Sequence, residues 1–295
     1  MSYALPQPPD LRGEGSIVKI PGAWRIERAV DQARLGWRSK TEYVPKDWSD
    51  KVSSWCNGFT GKRIIEVGCD TNGRFINQIA RLYRPLEIVG LNPVIQSHKF
   101  SATCRLEKGD IRSTAFEDGY FDVIVSSAAF EHIQNFDVAL AEMYRILKPG
   151  GYLFSHFGPI WSASYGHHLW LTYNDRLYNY WNVILPPYCH LLSDAQQIVR
   201  MIAGKYPLDV CEAIAEYACN STDQNHLFFE DYESFVANSP FKILVFKGSD
   251  APELSDKYNR QMTPDTFRLL QEKYPGRKYF CYEGITLLLQ KPTVR

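Results

Sequence analysis

An apolar run that passes through a glycine-containing turn into a helix constrains the fold of this chain more than any other feature. The stretch is IIEVGCDTNGRFINQIARLY, residues 64–83. Its first residues are largely apolar, as in a buried strand, and Phe75, Ile79 and Leu82 follow at helical spacing. A strand joined to a helix by a short turn is half of a β-α-β unit, whose second strand runs parallel to the first.

The same alternation of strand and helix continues along the chain. Further strand-like segments lie at 86–92, 120–129, 152–157, 241–248 and 284–292. The helix that precedes the segment at 152–157 ends in KPGG, a proline and glycine stop signal. Alternating strands and helices predict an α/β sheet covered by helices on both faces.

The pattern divides the chain into an N-terminal arm with a lid segment, residues 1–55, and a main domain, residues 56–295. Four tryptophans lie between positions 24 and 55, where they either cap a pocket or pack against the main domain. Between about 159 and 230 the strand pattern lapses, and aromatic residues and histidine precede a helical stretch. We interpret this segment as an aromatic-rich helical cap inserted between two strands.

The composition favours a small-molecule ligand over a polymer. Lys plus Arg equals 33 and Asp plus Glu equals 33, so no net field attracts nucleic acid or an anionic membrane. The N-terminal residues MSYALPQPPDLRGEG lack the pattern of a secretory leader, and we expect a cytoplasmic protein that does not span a membrane.

The turn at residues 68–73 holds an acidic residue where a nucleotide-binding turn has glycine. Gly68, Asp70 and Gly73 occupy the positions of a G-x-G-x-x-G fingerprint, with Asp70 in the middle place. A glycine there lets the backbone approach a pyrophosphate, whereas a carboxylate adds bulk and a like charge. The turn therefore disfavours NAD or FAD and favours a ligand with a positive charge, such as an α-ammonium or a sulfonium.

Five ordered segments carry a resemblance to a known family. They are IIEVGCDTNGRFI, IVGLNP, LEKGDI, FDVIVSSAAFEHI and EMYRILKPGGYL, within residues 62–157. In this order and spacing they resemble the class I S-adenosylmethionine-dependent methyltransferases that act on small molecules. The resemblance implies a doubly wound, mostly parallel, seven-stranded sheet of the Rossmann-like methyltransferase fold, and S-adenosylmethionine as cofactor.

The resemblance also implies which residues bind the cofactor. Glu66, Gly68 and Gly73 match the acidic residue and the glycines of the cofactor loop, and Asn92 matches the residue that binds the ribose. Asp110 and Ile111 match the pair that lines the adenine. Ser126 and Ser127 match the segment beneath the methionine portion of the cofactor. We add Asp70 to the predicted cofactor-binding residues because its carboxylate would attract the positive charge of the cofactor. The family usually has a carboxylate at the ribose position, and the neutral amide of Asn92 predicts weaker cofactor binding, because neutral hydrogen bonds are weaker than charge-assisted ones.

Histidines supply the candidate catalytic groups. If the methyl acceptor is a hydroxyl, a general base assists, and a histidine with a pKa near neutrality suits that task. The candidates are His132, His156, His167 and His168, each of which could instead be structural. A metal site built from them, with His190 or Glu131, has no compact ligand spacing in its favour, and the sequence predicts none.

The sequence predicts S-adenosylmethionine-dependent methyl transfer to oxygen, with the hydroxyl of a sugar or natural product bound under the aromatic cap as acceptor. The first alternative is a protein of the same fold that binds the cofactor weakly and serves as a non-methylating enzyme or a binding subunit. A nicotinamide-dependent dehydrogenase and a nucleic-acid methyltransferase are disfavoured by Asp70 and by the balanced charge. The oligomeric state stays open.

Overall fold

The computed structural model describes residues 46–249 and 262–293. Within these ranges the strands are β1 (Arg63–Val67), β2 (Glu87–Asn92), β3 (His98–Lys99), β4 (Cys104–Lys108), β5 (Phe121–Ser127), β6 (Leu147–Phe157), β7 (Trp170–Tyr173), β8 (Arg176–Asn179), β9 (Lys242–Ser249) and β10 (Gly284–Gln290). The α-helices are α1 (Lys46–Trp55), α2 (Arg74–Tyr83), α3 (Phe136–Ile146), α4 (Cys189–Leu192), α5 (Ala195–Ile202), α6 (Leu208–Asn220), α7 (Phe229–Ala237) and α8 (Pro264–Lys273).

Eight of these strands form one sheet in the order β3-β4-β2-β1-β5-β6-β10-β9. β1 pairs in parallel with β2 and β5, and the outer pairs β2–β4 and β5–β6 are also parallel. β10 runs antiparallel to β6 and β9. The predicted doubly wound, mostly parallel α/β sheet is confirmed, and the two-residue edge strand β3 is added to the seven strands expected.

The strand order reverses direction beside β1. From β1 the chain proceeds to β2 and β4 on one side, and then returns to β5 on the other side of β1. In open α/β sheets a crevice forms at such a reversal, outside the carboxyl ends of the strands, and ligands bind there. The topology thus predicts a ligand site at the residues that follow β1, β2, β4 and β5.

Each face of the sheet has its own apolar core. Ile65 and Val67 pack with α3 and α7 on one face, while Ile64 packs with α1 and α2 on the other. Residues alternate between faces because successive side chains of a strand point in opposite directions. Trp48 of α1 is buried and makes edge contacts with the rings of Phe75 and Phe154.

The described part of the predicted lid segment therefore packs against the main domain. Residues 1–45, with Trp24 and Trp37, lie outside the described residues. The division into an arm, a main domain and a cap stays a prediction.

The segment between β6 and β9 contains a β-hairpin as well as the expected helices. β7 and β8 pair in antiparallel fashion around Asn174 and Asp175, whose φ angles are 49° and 56°. A two-residue hairpin turn requires positive φ at both positions, and Asn and Asp tolerate it best after glycine. Tyr165, Tyr178 and Tyr180 are buried in a core that this hairpin shares with α5 and α6. These aromatics therefore build the cap's own core.

Across residues 46–249 and 262–293, every helix is too short or too polar to traverse a lipid bilayer.

Candidate active site

A cavity of about 470 Å³ opens at the carboxyl ends of β1, β2, β4 and β5, where the topology predicts a ligand site. On the sheet side it is lined by Val67, Gly68, Leu91, Asn92, Pro93, Val94, Gly109, Asp110, Ile111, Arg112, Ala128, Ala129, His132, Ile133 and Gln134. On the cap side it is lined by His168, Trp170, Tyr217, Thr222 and Asp223. Of the predicted site residues, the structure brings together Gly68, Asn92, Asp110, Ile111, His132 and His168.

The turn after β1 needs glycine at position 68. Gly68 has φ of 79°, and a Cβ there would overlap the Cβ of Ala129 in the segment after β5. Its backbone N–H donates to the carbonyl oxygen of Leu91 at 2.9 Å. The absent side chain lets the turn press against two neighbouring segments and leaves bare backbone at the cavity wall.

Asp70 does not line the cavity, because its carboxylate binds the start of α2. Oδ2 accepts hydrogen bonds from the backbone N–H of Arg74 at 2.8 Å and of Phe75 at 3.4 Å, and Oδ1 accepts from Asn72 N–H at 2.9 Å. In nucleotide-binding turns the N–H groups at a helix start hold phosphate. Here the chain supplies its own anion, which gives a physical basis for the predicted exclusion of pyrophosphate.

Gly73 also lies away from the cavity. It has φ of 63°, and a Cβ there would approach the ring of Phe100 to 2.6 Å. Position 73 therefore requires glycine, because a side chain would clash with Phe100 and the positive φ angle disfavours other residues.

Asn92 has a structural task that the sequence did not reveal. Its Nδ2 donates to the carbonyl oxygen of Cys69 at 2.9 Å, and its Oδ1 accepts from Val94 N–H at 3.0 Å. The side chain thus ties the end of β2 to the turn after β1. A carboxylate could not donate to Cys69, so the amide has a reason to stand where the family usually has an acid.

The loop after β4 combines an apolar wall with a closed ion pair. Ile111 is buried, and Asp110 binds Arg112 through Nη2 at 2.6 Å and through Nε at 3.0 Å to each carboxylate oxygen. This hydrogen bonding by the guanidinium lowers the pKa of Asp110. Arg112 is the one lysine or arginine among the residues that line the cavity.

Three further predicted residues lie behind the cavity wall. Glu66 is buried, its burial and the charge of Asp70 raise its pKa well above the ordinary value, and its Oε2 has no hydrogen-bond partner among the described residues. Ser126 donates from Oγ to the carbonyl oxygen of Val67 at 2.8 Å, which ties β5 to β1. Ser127 ends β5 immediately before Ala128, which lines the cavity.

The four candidate histidines divide into two pairs. His132 and His168 line the cavity from opposite sides, with their rings stacked at a centroid distance of 4.9 Å and an interplanar angle of 24°. His156 is buried within β6, where Nδ1 lies 2.6 Å from Thr286 Oγ1 and burial lowers its pKa to about 4. His167 is buried in the cap, where Nδ1 accepts from Leu169 N–H at 3.0 Å. The structure does not bring His156 or His167 to the cavity.

The ring orientation of His132 is fixed by the cap. Its Nδ1 hydrogen bonds to the backbone carbonyl of Asp223. A carbonyl only accepts, so Nδ1 carries a proton. His132 Nε2 lies 3.9 Å from Glu131 Oε1.

Sequence reasoning missed the polar cap residues of the site. Tyr217 donates from its hydroxyl to Asp223 Oδ2 at 2.7 Å beside the cavity. Gln134 Nε2 donates to the carbonyl oxygen of Gln224 at 2.7 Å, and Asn225 Nδ2 donates to that of Phe130 at 2.8 Å. These bonds hold the cap on the segment after β5, and their long sequence separation left no local signal.

The site fits an adenosyl amino acid better than a dinucleotide. The helix start that would hold phosphate is occupied by Asp70, and Arg112 is engaged by Asp110. Ile111 offers an apolar surface to a purine, and the bare backbone at Gly68 admits a close ligand.

Comparison with known proteins agrees with this geometry. Residues 65–155 match a family described as a methyltransferase domain. The chain is 34% identical over 98 residues to a fatty-acid O-methyltransferase of Mycolicibacterium smegmatis, covering 31% of this chain and 35% of that protein. It is 25% identical over 120 residues to a demethylmenaquinone methyltransferase of Bacteroides fragilis, covering 37% of this chain and 49% of that one. The chain thus spans between a third and a half of the length of these relatives.

A solved structure extends the likeness in fold. The S-adenosylmethionine-dependent methyltransferase of Mesorhizobium loti superposes with a TM-score of 0.50 at 13% identity, covering 85% of this chain and 100% of that one. The strand order, the glycine turn, the cavity at the reversal of strand order and the matched segment agree with one another. Residues 65–155 of this chain thus match a methyltransferase domain, and the sheet around them has the fold of S-adenosylmethionine-dependent methyltransferases.

Proposed function

We propose that this protein transfers a methyl group from S-adenosylmethionine to a hydroxyl oxygen of a neutral small molecule. The observation that carries the proposal is that one cavity among the described residues has room at one end for the cofactor and at the other for the methyl acceptor. Gly68, Asn92 and Ile111 lie at one end, and His132 and His168 lie where the cap meets the sheet. A shared cavity can hold cofactor and acceptor in reacting contact.

The charges in the cavity favour a neutral acceptor over a carboxylate. A bound carboxylate or phosphate calls for a lysine or arginine, and Arg112 is already engaged by Asp110 through both oxygens. Trp170 and Tyr217 offer ring surfaces, while Gln134 and Asp223 offer polar atoms. Such a lining suits a ring-bearing compound with hydroxyl groups, such as a sugar or natural product.

The protein's contribution to the chemistry is positioning and exclusion of water. S-adenosylmethionine, when bound, supplies an electrophilic methyl group. The cap, held by Gln134 and Asn225, covers the cavity and keeps the acceptor oriented. His132 lines the cavity on the segment after β5, so its imidazole can assist a hydroxyl bound there as a general base.

The test separates cofactor binding from methyl transfer. Calorimetry with the full chain is expected to show saturable binding of S-adenosylmethionine. Transfer of labelled methyl is then measured to a panel of sugars, phenols and fatty acids, with labelling of hydroxyl compounds expected. Trp170→Ala should reduce transfer without changing cofactor affinity, and Leu269→Ala, an exposed position on α8, serves as the control.

The hydrogen bonds of Asn92 support a second candidate function, in which the protein binds the cofactor weakly and does not transfer methyl groups. Because both polar atoms of its amide are engaged by Cys69 and Val94, less hydrogen-bonding capacity remains for a ribose. A cofactor affinity too weak to saturate at millimolar concentration would refute methyl transfer. It would favour a protein of the same fold used as a non-methylating enzyme or binding subunit.

A further inference from the structure

We infer that Glu131, His132 and His168 form a binding site for a divalent transition metal at the acceptor end of the cavity. One ligand atom from each of the three side chains lies within 4.8 Å of the others. Two imidazoles and one carboxylate are the donor set of catalytic zinc sites. The inference rests on the proposed function for its chemical role, and its test is independent of activity.

The three donors come from two segments that the cap brings together. Glu131 and His132 lie in the 3-10 helix Phe130–His132, directly after β5, and His168 lies in the cap. Asn225 holds the 3-10 helix, because its Nδ2 donates to Phe130 and its backbone N–H donates to the carbonyl oxygen of Glu131 at 2.9 Å. The site exists only when the cap is docked, which explains why no compact ligand spacing appears in the sequence.

His132 is oriented as a ligand. Its Nδ1–H donates to the backbone carbonyl of Asp223, and its Nε2 lies 3.9 Å from Glu131 Oε1. Metal-binding histidines commonly donate their second ring nitrogen to a carbonyl or carboxylate, which fixes the tautomer and the ring plane. Asp223 therefore has a positioning role in this site.

Glu131 gives the site its charge. The residue is 1% exposed, and its Oε1 accepts from the backbone N–H of Gly158 at 3.3 Å. A buried carboxylate is costly unless charge or hydrogen bonds compensate it, and a divalent cation compensates it fully. The side chain of His132 is 31% exposed and lines the cavity, so a ligand in the cavity can approach it.

The distances require only a small closure. Tetrahedral ligands at about 2.0–2.1 Å from zinc lie roughly 3.3 Å from one another. His132 Nε2 is 3.9 Å from Glu131 Oε1, and all three ligand atoms lie within 4.8 Å. Because the bond to Asp223 fixes the ring of His132, the side chains of His168 and Glu131 must supply the difference.

An ion held by three protein ligands keeps a fourth position for a hydroxyl oxygen. Coordination makes a hydroxyl more acidic, so its proton passes to solvent before the oxygen reacts. The oxygen then forms the new bond to the methyl carbon while the carbon–sulfur bond breaks and its electron pair stays on sulfur. The ligand class assigned to the open position is thus a neutral hydroxyl compound, in agreement with the charges of the cavity.

The test measures metal binding directly. Full-length protein freed of metal with a chelator is titrated with Co²⁺ and with Zn²⁺, using calorimetry and the visible absorption of cobalt. One equivalent is expected to bind, without the intense charge-transfer bands of thiolate ligands. His168→Gln and Glu131→Gln should weaken binding by more than the roughly 10- to 100-fold typical of losing an outer-shell partner. His98→Gln, at an exposed histidine on β3, is the matched control and should bind normally.

Circular dichroism and thermal melting establish that each variant folds. Binding well below one equivalent, or equal binding by wild type and His168→Gln, overturns the inference. Calorimetry with S-adenosylmethionine on the same samples separates the two proposals. Cofactor binding without metal binding would refute the metal site and leave the proposed function standing. Metal binding without cofactor binding would refute the proposed function and leave the metal site standing.

Discussion

Replacement of Asp70 by glycine tests why an acidic residue stands in the turn after β1. The carboxylate accepts hydrogen bonds from the backbone N–H of Asn72, Arg74 and Phe75 at 2.9, 2.8 and 3.4 Å. Loss of a side chain that caps a helix start costs about 1 kcal/mol, and its charge at the helix start contributes about 0.3–1 kcal/mol. Glycine adds about 0.5–1 kcal/mol of backbone entropy.

One term opposes these losses. Asp70 raises the pKa of buried Glu66, so its removal relieves a like-charge interaction. We therefore expect Asp70→Gly to lower the free energy of unfolding by about 1–2 kcal/mol. For a chain of this size that corresponds to a fall in Tm of roughly 2–3 °C. Asp70→Asn, which keeps one acceptor oxygen, should lose about half as much.

The same variant should acquire an anion site. With the N–H groups of Arg74 and Phe75 released, inorganic pyrophosphate can bind at the start of α2. Differential scanning fluorimetry with and without pyrophosphate is expected to show a rise in Tm for Asp70→Gly and none for wild type. Equal stability of Asp70→Gly and wild type, or an equal response of both to pyrophosphate, would refute the reasoning.

Three further predictions concern single side chains. Burial lowers the pKa of His156 from 6.5 to about 4, so the unfolded chain binds the extra proton, and stability is lost as pH falls through this window. Urea unfolding should show a loss of about 2 kcal/mol between pH 7 and pH 5 from this group, absent in His156→Gln. Asn92→Asp loses the hydrogen bond to Cys69, so its free energy of unfolding should fall by about 1 kcal/mol. Calorimetry should show that the same variant binds S-adenosylmethionine more tightly than wild type. Unchanged or weaker binding contradicts the predicted contact of residue 92 with the ribose. Tyr217→Phe removes the hydroxyl bonded to Asp223 and should raise the acceptor KM with cofactor affinity unchanged, and a changed cofactor affinity would contradict its place on the acceptor side.

Local signals predicted the sheet, and four of the nine residues predicted to bind the cofactor line the cavity at its carboxyl edge. The apolar strands, the glycine turn and the KPGG stop follow from local propensity, and the order of strand and helix dictates parallel pairing. Gly68, Asn92, Asp110 and Ile111 line the cavity because each lies at or just after the carboxyl end of a strand of that sheet, and their roles toward the cofactor stay predictions. The hairpin around Asn174 and Asp175 had a local signal in its turn residues, and sequence reasoning passed over it.

The distribution of side chains between cavity and interior was decided only by tertiary packing. Asp70 binds the start of α2, His156 pairs with Thr286 across neighbouring strands, and both would have looked equally suited to the cavity from sequence. His132 and His168 meet only because the cap folds back over the segment after β5. Sequence determines the order of the elements, since that depends on neighbours along the chain. Contacts between distant segments depend on how buried surfaces and hydrogen bonds are satisfied together, and these place the groups that can perform chemistry.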